Sequence, residues 1–206
     1  MRIAIGSDHG GFELKQKIIT ILSKEGVLEI SDFGTYSTDP VDYPDISFMV
    51  ATEVARKNYD FGILIDGIGV GSCIAANKVK GILAATCNEV TTAKSARAHD
   101  NANVIVLGSG IIGLNLALEI INTFLNTGFA GGRHEKRLNK IFNYENANSK
   151  IDLERFTERP KRILTKDDIQ LAFKAGETVV YVDKTAIITP LAKELALDKN
   201  IRIIVR

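Results

Sequence analysis

The chain predicts an α/β fold, a doubly wound three-layer α/β/α sandwich around a five-stranded parallel sheet, followed by a small α+β C-terminal extension. Short apolar runs alternate with longer segments of helical periodicity. The run Phe61-Gly62-Ile63-Leu64-Ile65 is apolar without a polar alternation, as a strand covered on both faces must be. It ends in Asp66-Gly67-Ile68-Gly69-Val70-Gly71-Ser72, a carboxylate followed by alternating glycines, where bare backbone N–H groups can approach a ligand as the strand opens into a loop.

The strand candidates in order are Arg2 to Gly6, Val27 to Phe33, Phe61 to Ile65, Ile82 to Thr86 and Val104 to Leu107. Helical patterns separate them around Phe12 to Lys24, Ile46 to Lys57, Ala75 to Val79, Val90 to Ala98 and Leu114 to Leu125. A sheet wound in this way places its ligand site at the C-terminal ends of the strands. The main domain is expected over residues 1–142, and the polar run Asn143-Tyr144-Glu145-Asn146-Ala147-Asn148-Ser149-Lys150 reads as the start of a linker over 143–160. In the extension, 161–206, Thr165 caps a helix over Lys166 to Lys174 that Gly176 stops. A strand follows over Thr178 to Val182, then a second helix opened by Thr189-Pro190 and running to Lys199, and a closing strand over Ile201 to Val205. Two strands and two helices make a thin core, so the extension is expected to dock on the main domain or on a partner. No internal repeat is apparent.

A hydrophobic fraction of 45% suits a chain of 206 residues that buries a core. The net charge of +1 gives no electrostatic footprint for nucleic acid, and no basic amphipathic helix for a membrane surface is apparent. Cys73 and Cys87 follow no metal-ligand spacing and read as small core residues. The start Met1-Arg2-Ile3-Ala4-Ile5 runs into a strand, not a signal peptide, and no apolar run is long enough to span a bilayer, so a cytoplasmic protein is expected.

Far from the glycine loop lies the cluster Arg133-His134-Glu135-Lys136-Arg137, in which two guanidiniums stand at i,i+4 on one helix face, a fork suited to phosphate. Loop and cluster together point to a small phosphorylated ligand. Each has a plainer reading: glycines after a strand often make only a turn, Asp66 or Asp8 serves equally as a helix cap, and an arginine pair often lines a solvated face.

The motifs Gly6-Ser7-Asp8-His9-Gly10-Gly11-Phe12-Glu13-Leu14-Lys15, Asp42-Tyr43-Pro44, Gly67 to Gly71 with Ala75-Ala76-Asn77-Lys78, Ala98-His99, and Gly131-Gly132-Arg133-His134 with Arg137 come in the order and spacing of one group. Over residues 1 to about 142 the chain resembles the type B ribose-5-phosphate isomerases, which include the galactose-6-phosphate isomerase subunits. The resemblance implies aldose–ketose isomerisation of a phosphorylated sugar without metal or organic cofactor. It also implies a homodimer, or a tetramer built from it, with active sites between subunits. By resemblance His99 opens the sugar ring, Arg133 and Arg137 hold the phosphate with His134 beside them, and Asp8, His9 and Tyr43 contact substrate. The amides and side chains of Gly67, Ile68, Gly69, Val70, Gly71 and Ser72 are expected to meet sugar oxygens and the enediolate.

Several positions depart from the family. Asp66 stands where some members carry a cysteine base, and Ser72 where others carry a glutamate. Asp66 is therefore the expected base, provided that burial raises its pKa more than loop amides lower it. Ile68 replaces a hydroxyl residue, Asp100 an asparagine beside His99, and Gly110 an arginine that reaches the phosphate. Loss of that cation with gain of Asp100 leaves open a pentose or hexose phosphate other than ribose 5-phosphate, or a non-catalytic sugar-phosphate sensor or assembly component. The extension, with Thr189-Pro190-Leu191-Ala192, is loosely similar to tails of bacterial microcompartment proteins, which implies docking there. Gly108-Ser109-Gly110-Ile111-Ile112-Gly113 matches a dinucleotide fingerprint but follows the fifth strand, with no acidic strand end after it, so nucleotide binding is not expected.

Overall fold

The computed structural model describes residues 1–26, 28–146 and 163–205. The chain divides into two compact units, Met1–Ala147 and Asn148–Arg206.

In the first unit, β1 (Arg2–Ser7), β2 (Glu29–Asp32), β3 (Phe61–Asp66), β4 (Ala84–Thr86) and β5 (Val104–Gly108) form one parallel sheet in the order β2-β1-β3-β5-β4. The helices are α1 (Phe12–Leu22), α2 (Tyr43–Ala55), α3 (Gly71–Ala76), α4 (Val90–Ala98), α5 (Leu114–Asn126) and α6 (Arg133–Asn146). Alternation along each central strand sends side chains to two cores. Ile3, Ile5, Ile63, Ile65, Ile105 and Leu107 pack with residues of α1, α4 and α5, while Ala4, Leu64, Val104 and Val106 pack with residues of α2 and α3. This is the expected three-layer sandwich with its five parallel strands.

Two helix boundaries differ from expectation. The third helix begins at Gly71, inside the glycine loop, and ends at Ala76, so the expected span Ala75 to Val79 is displaced toward the N-terminus. Helix α6 runs through Asn146, four residues into the segment read as a linker. The polar run at 143–146 continues the helix because Arg133 to Asn146 has one inward apolar position, Leu138, and a helix of that kind carries polar residues on most of its surface. The rest of the expected linker, 147–160, lies outside the described residues.

Two close approaches set the site end of the sheet. The turn after β1 lies on the end of β3: Asp8 N–H donates to Ile65 O at 3.2 Å, and a methyl on Gly11 would come within 2.3 Å of that same oxygen. Beneath the turn, the fully buried Lys15 ammonium donates to Asp32 and to Thr35 O at 2.8 Å. It fastens the segment after β2, whose Gly34 O accepts from Ser7 N at 2.7 Å.

The second unit contains β6 (Ile163–Leu164), α7 (Lys166–Lys174), β7 (Val179–Val182), β8 (Ile187–Ile188), α8 (Pro190–Asp198) and β9 (Arg202–Val205). The two-residue strands β6 and β8 were too short to leave a sequence pattern. With them the unit is a strand–helix–strand motif made twice, a repeat that the sequence conceals. β6 pairs in parallel with β8 and β7 with β9, Thr165 and Thr189 each cap a helix, and Gly176 and Asn200 take positive φ after each helix. Leu164, Ile169, Ala172, Val182, Ala192, Ala196 and Ile201 form its core.

Gly11→Ala is expected to lower unfolding stability by about 1–3 kcal/mol through overpacking against the Ile65 carbonyl. Gly128→Ala, where an added methyl meets nothing within 4 Å, should change it by less than about 0.5 kcal/mol. Urea denaturation midpoints measure both.

Candidate active site

In a parallel sheet each helix returns the chain from the C-terminal end of one strand to the N-terminal start of the next. Residues that follow a strand therefore share one pole of the sandwich, and residues that follow a helix share the other. The strand order reverses between β1 and β3, so their C-terminal ends open a crevice where doubly wound sheets bind ligands.

Asp8, His9, Asp66 and the loop Gly67–Ser72 lie at that crevice, with Tyr43 at the start of α2 beside them. Asp66 is only 5% exposed. Its Oδ1 accepts from Ile68 N at 2.9 Å and from Gly69 N, and its Oδ2 accepts from Ser72 N at 2.9 Å. Burial pushes this carboxyl's pKa up, but bonds from the Ser72 amide and hydroxyl and from the Gly69 and Ile68 amides outweigh it and hold the pKa below the ordinary value. Both oxygens are committed to the loop. Asp66 folds the loop over itself and is poorly suited to the proton abstraction expected of it. The same bonds correct the oxyanion-donor assignment, because the amides of Ile68, Gly69 and Ser72 are spent on Asp66. Among the described residues no acceptor meets the amides of Gly67, Val70 or Gly71, which remain for a ligand.

Neighbouring strands brace this loop. Ser109 N donates to Asp66 O at 2.8 Å and Gly110 N to Gly67 O at 2.9 Å, while the Ser109 hydroxyl lies 2.8 Å from Gly10 O. Thr86 Oγ1 donates to Gly69 O. The Tyr43 ring rests on Gly71, where a methyl would come within 2.8 Å of it. Sequence reasoning missed Ser109 and Thr86 as supports, because their roles depend on β5 lying beside β3 and on β4 lying next, an order the sequence does not state. The glycine pattern at 108–110 is this strut.

Asp8 is half-buried, and its Oδ1 accepts from Gly11 N at 3.0 Å. Burial raises its pKa, the amide bond from Gly11 works against this, and the nearby Asp66 charge raises it further; the net direction is upward. His9 is exposed, and its Nδ1 accepts from Val41 N at 3.3 Å. The side chains of Ile68 and Val70 are exposed at the rim.

His99, Asp100, Arg133, His134 and Arg137 occupy the opposite pole. His99 follows α4, and Arg133 opens α6 just after α5 has returned the chain to the same end; Ala130 N donates to Ala98 O at 2.9 Å and joins the two segments. The His99 and His134 rings stack at 4.3 Å between centroids and 5° between planes. His99 is exposed, its Nδ1 lies 3.2 Å from Ser95 Oγ, and Arg133 Nε donates to His134 Nε2 at 3.3 Å. Desolvation lowers the His134 pKa, and the adjacent His99, Arg133 and Arg137 lower it further against the pull of Asp100. This is an exposed cationic surface with its own anion-binding chemistry. Arg97, sequestered behind it between Phe61 and Phe124, clamps the following turn through Asn101 Oδ1 at 2.9 Å and Ala102 O at 2.7 Å.

The structure thus brings the predicted residues together in two groups, and a strand's length of roughly 15–20 Å separates the two ends of the sheet. Among the described residues no group of three or more acidic, histidine or cysteine side chains could hold a metal ion, and no helix is long and apolar enough to cross a membrane.

Asp66→Asn should let the amides of Ile68, Gly69 and Ser72 exchange faster with heavy water and cost about 1–3 kcal/mol, since its side-chain nitrogen faces amide donors. Because the folded pKa is depressed, the carboxylate's contribution is full above the ordinary value of 3.8 and is lost as pH falls through the lower folded value. The stability gap between parent and Asp66→Asn should therefore close only in that acid range.

Comparison with known proteins identifies the family and agrees with the fold. A family model described as Ribose/Galactose Isomerase matches residues 3–141. Ribose-5-phosphate isomerase B of Escherichia coli is 45% identical over 140 residues, covering 68% of this chain and 93% of that protein. Ribose-5-phosphate isomerase B of Clostridium thermocellum superposes with a TM-score of 0.69 at 48% identity, over 70% of this chain and 97% of that one. The Mycoplasma genitalium enzyme, solved with bound ribulose 5-phosphate, gives 0.66 at 46% identity, over 70% and 95%. With the family model spanning residues 3–141 and relatives near 45% identity, the chain belongs to the ribose/galactose isomerase family.

Proposed function

We propose that the protein interconverts a phosphorylated aldose and its ketose, with ribose 5-phosphate and ribulose 5-phosphate as the pair, in a homodimer whose two sites each take one pole from each copy. The observation that carries this reading is the separation of the two functional groups to opposite ends of one sheet. The crevice has loop amides but no arginine among the site residues, and the cationic pole has guanidiniums but no strand-end crevice. A twofold dimer that sets one copy's cationic pole against the other's crevice completes two sites at once. The named relatives support the reaction and the substrate.

In such a site Arg133 and Arg137 hold the phosphate as fixed cations. His99 moves a proton at the ring oxygen or anomeric hydroxyl. The amides of Gly67, Val70 and Gly71 meet the oxygens that gain charge in the enediolate, and each such donor is worth roughly 3–4 kcal/mol in a transition state. Exposed Asp100 beside the cations and Gly110 in place of an arginine favour a second reading, another pentose or hexose phosphate as substrate. We read the protein as cytoplasmic, from its two free thiols, and the second unit as a docking module.

Arg137→Ala is expected to raise KM more than it lowers kcat, because phosphate contacts bind ground and transition states alike; an unchanged KM counts against the assignment. Asp8→Asn and His99→Asn should each be inactive alone. Mixed, unfolded and refolded together, they should recover about a quarter of parental activity, since half of the dimers are hybrid and each hybrid has one native site. No recovery would place both poles of a working site in a single copy.

A further inference from the structure

Isomerisation needs a group that carries a proton between C1 and C2, and the crevice offers few. Asp66 has both oxygens committed to amides, and the Ser72 hydroxyl turns toward Asp66 from a buried position. Cys73 Sγ is engaged with Ala84 O at 3.4 Å. His9 is exposed, and its Nδ1 lone pair is already engaged by Val41 N at 3.3 Å.

Asp8 remains. It closes β1 at the switch point, half-buried, with the Gly11 amide orienting Oδ1. The vacant position above Gly10 is bordered on one side by that carboxylate and on the other by a free loop amide: a methyl there would lie 3.3 Å from Asp8 Oδ1 and 3.5 Å from Gly67 N. A base and an oxyanion donor thus flank one small gap, as proton abstraction beside a carbonyl requires.

We propose that Asp8, not Asp66, is the catalytic base that moves the proton between C1 and C2; this rests on the isomerase reading above. Asp8 takes the C2 proton of the open aldose, the C2–H electron pair becomes the C1–C2 double bond, and the carbonyl pair moves to O1. Asp8 then returns the proton to C1 as O2 becomes the carbonyl and the O2 hydroxyl proton passes to O1. No other reactant is consumed. The environment suits this role, since burial and the fixed negative charge of Asp66 both make Asp8 a stronger base than an ordinary aspartate. Asp66 then serves twice, as the loop's internal anchor and as the charge that tunes its neighbour.

Ribulose 5-phosphate separates this step from ring opening, because it has no hydroxyl placed to close a five-membered ring on its ketone. Incubated with it in heavy water, the parent protein should wash a C1 proton into solvent. Asp8→Asn keeps an oxygen for the Gly11 amide, so the fold is retained, and should slow the exchange by about 10²–10⁴-fold. Asp8→Glu should restore part of it, and parental exchange should fall in acid as Asp8 protonates above the ordinary value of 3.8. Exchange by Asp8→Asn within about tenfold of the parent would overturn the assignment alone. A parent that exchanges no deuterium would sink the isomerase reading and the assignment with it.

Discussion

One buried carboxylate holds the crevice in shape. Asp66 sits at the end of the third strand, where desolvation should expel its charge, and three loop amides replace the water it has lost. The interaction is mutual. Without the anion, the amides of Ile68, Gly69 and Ser72 have nothing to converge on; without the amides, a charge at 5% exposure would be untenable. Folding the loop around Asp66 turns the remaining amides outward and sets a permanent negative charge beside Asp8. The end of β3 thus sets which loop amides stay open, and its charge adds to the burial that raises the pKa of the neighbouring Asp8.

The second constraint is topological. Parallel strands joined by returning helices put every post-strand loop at one pole and every post-helix loop at the other, whatever their sequences. His99 and the Arg133–Arg137 turn fall at the wrong end to meet the glycine loop of their own copy. Desolvation and the neighbouring His99, Arg133 and Arg137 lower the pKa of His134 there, and Asp100 offsets part of it.

Much of this was legible in the sequence, and the limits have physical causes. Strand and helix alternation gave the sandwich, because the central strands are apolar on both faces and their side chains divide cleanly between two cores. The residues of both groups were named from glycine spacing, arginine spacing and family motifs. Their grouping was not, since it follows from sheet order and helix direction. Asp66 shows the limit at one residue: its identity was plain, but whether it acts as base or anchor depends on whether amides two, three and six residues later fold back onto it. Ser109 and Thr86 were hidden because they act across strands. The repeat in the second unit was hidden because two of its strands have only two residues each.

A crystal structure of the protein with ribose 5-phosphate tests the central claim most directly. The account predicts sugar carbons C1 and C2 over Asp8 and the Gly67 amide of one copy, with the phosphate between Arg133 and Arg137 of another. A ligand held entirely by one copy, or a phosphate seated in the crevice with both arginines free, would contradict it.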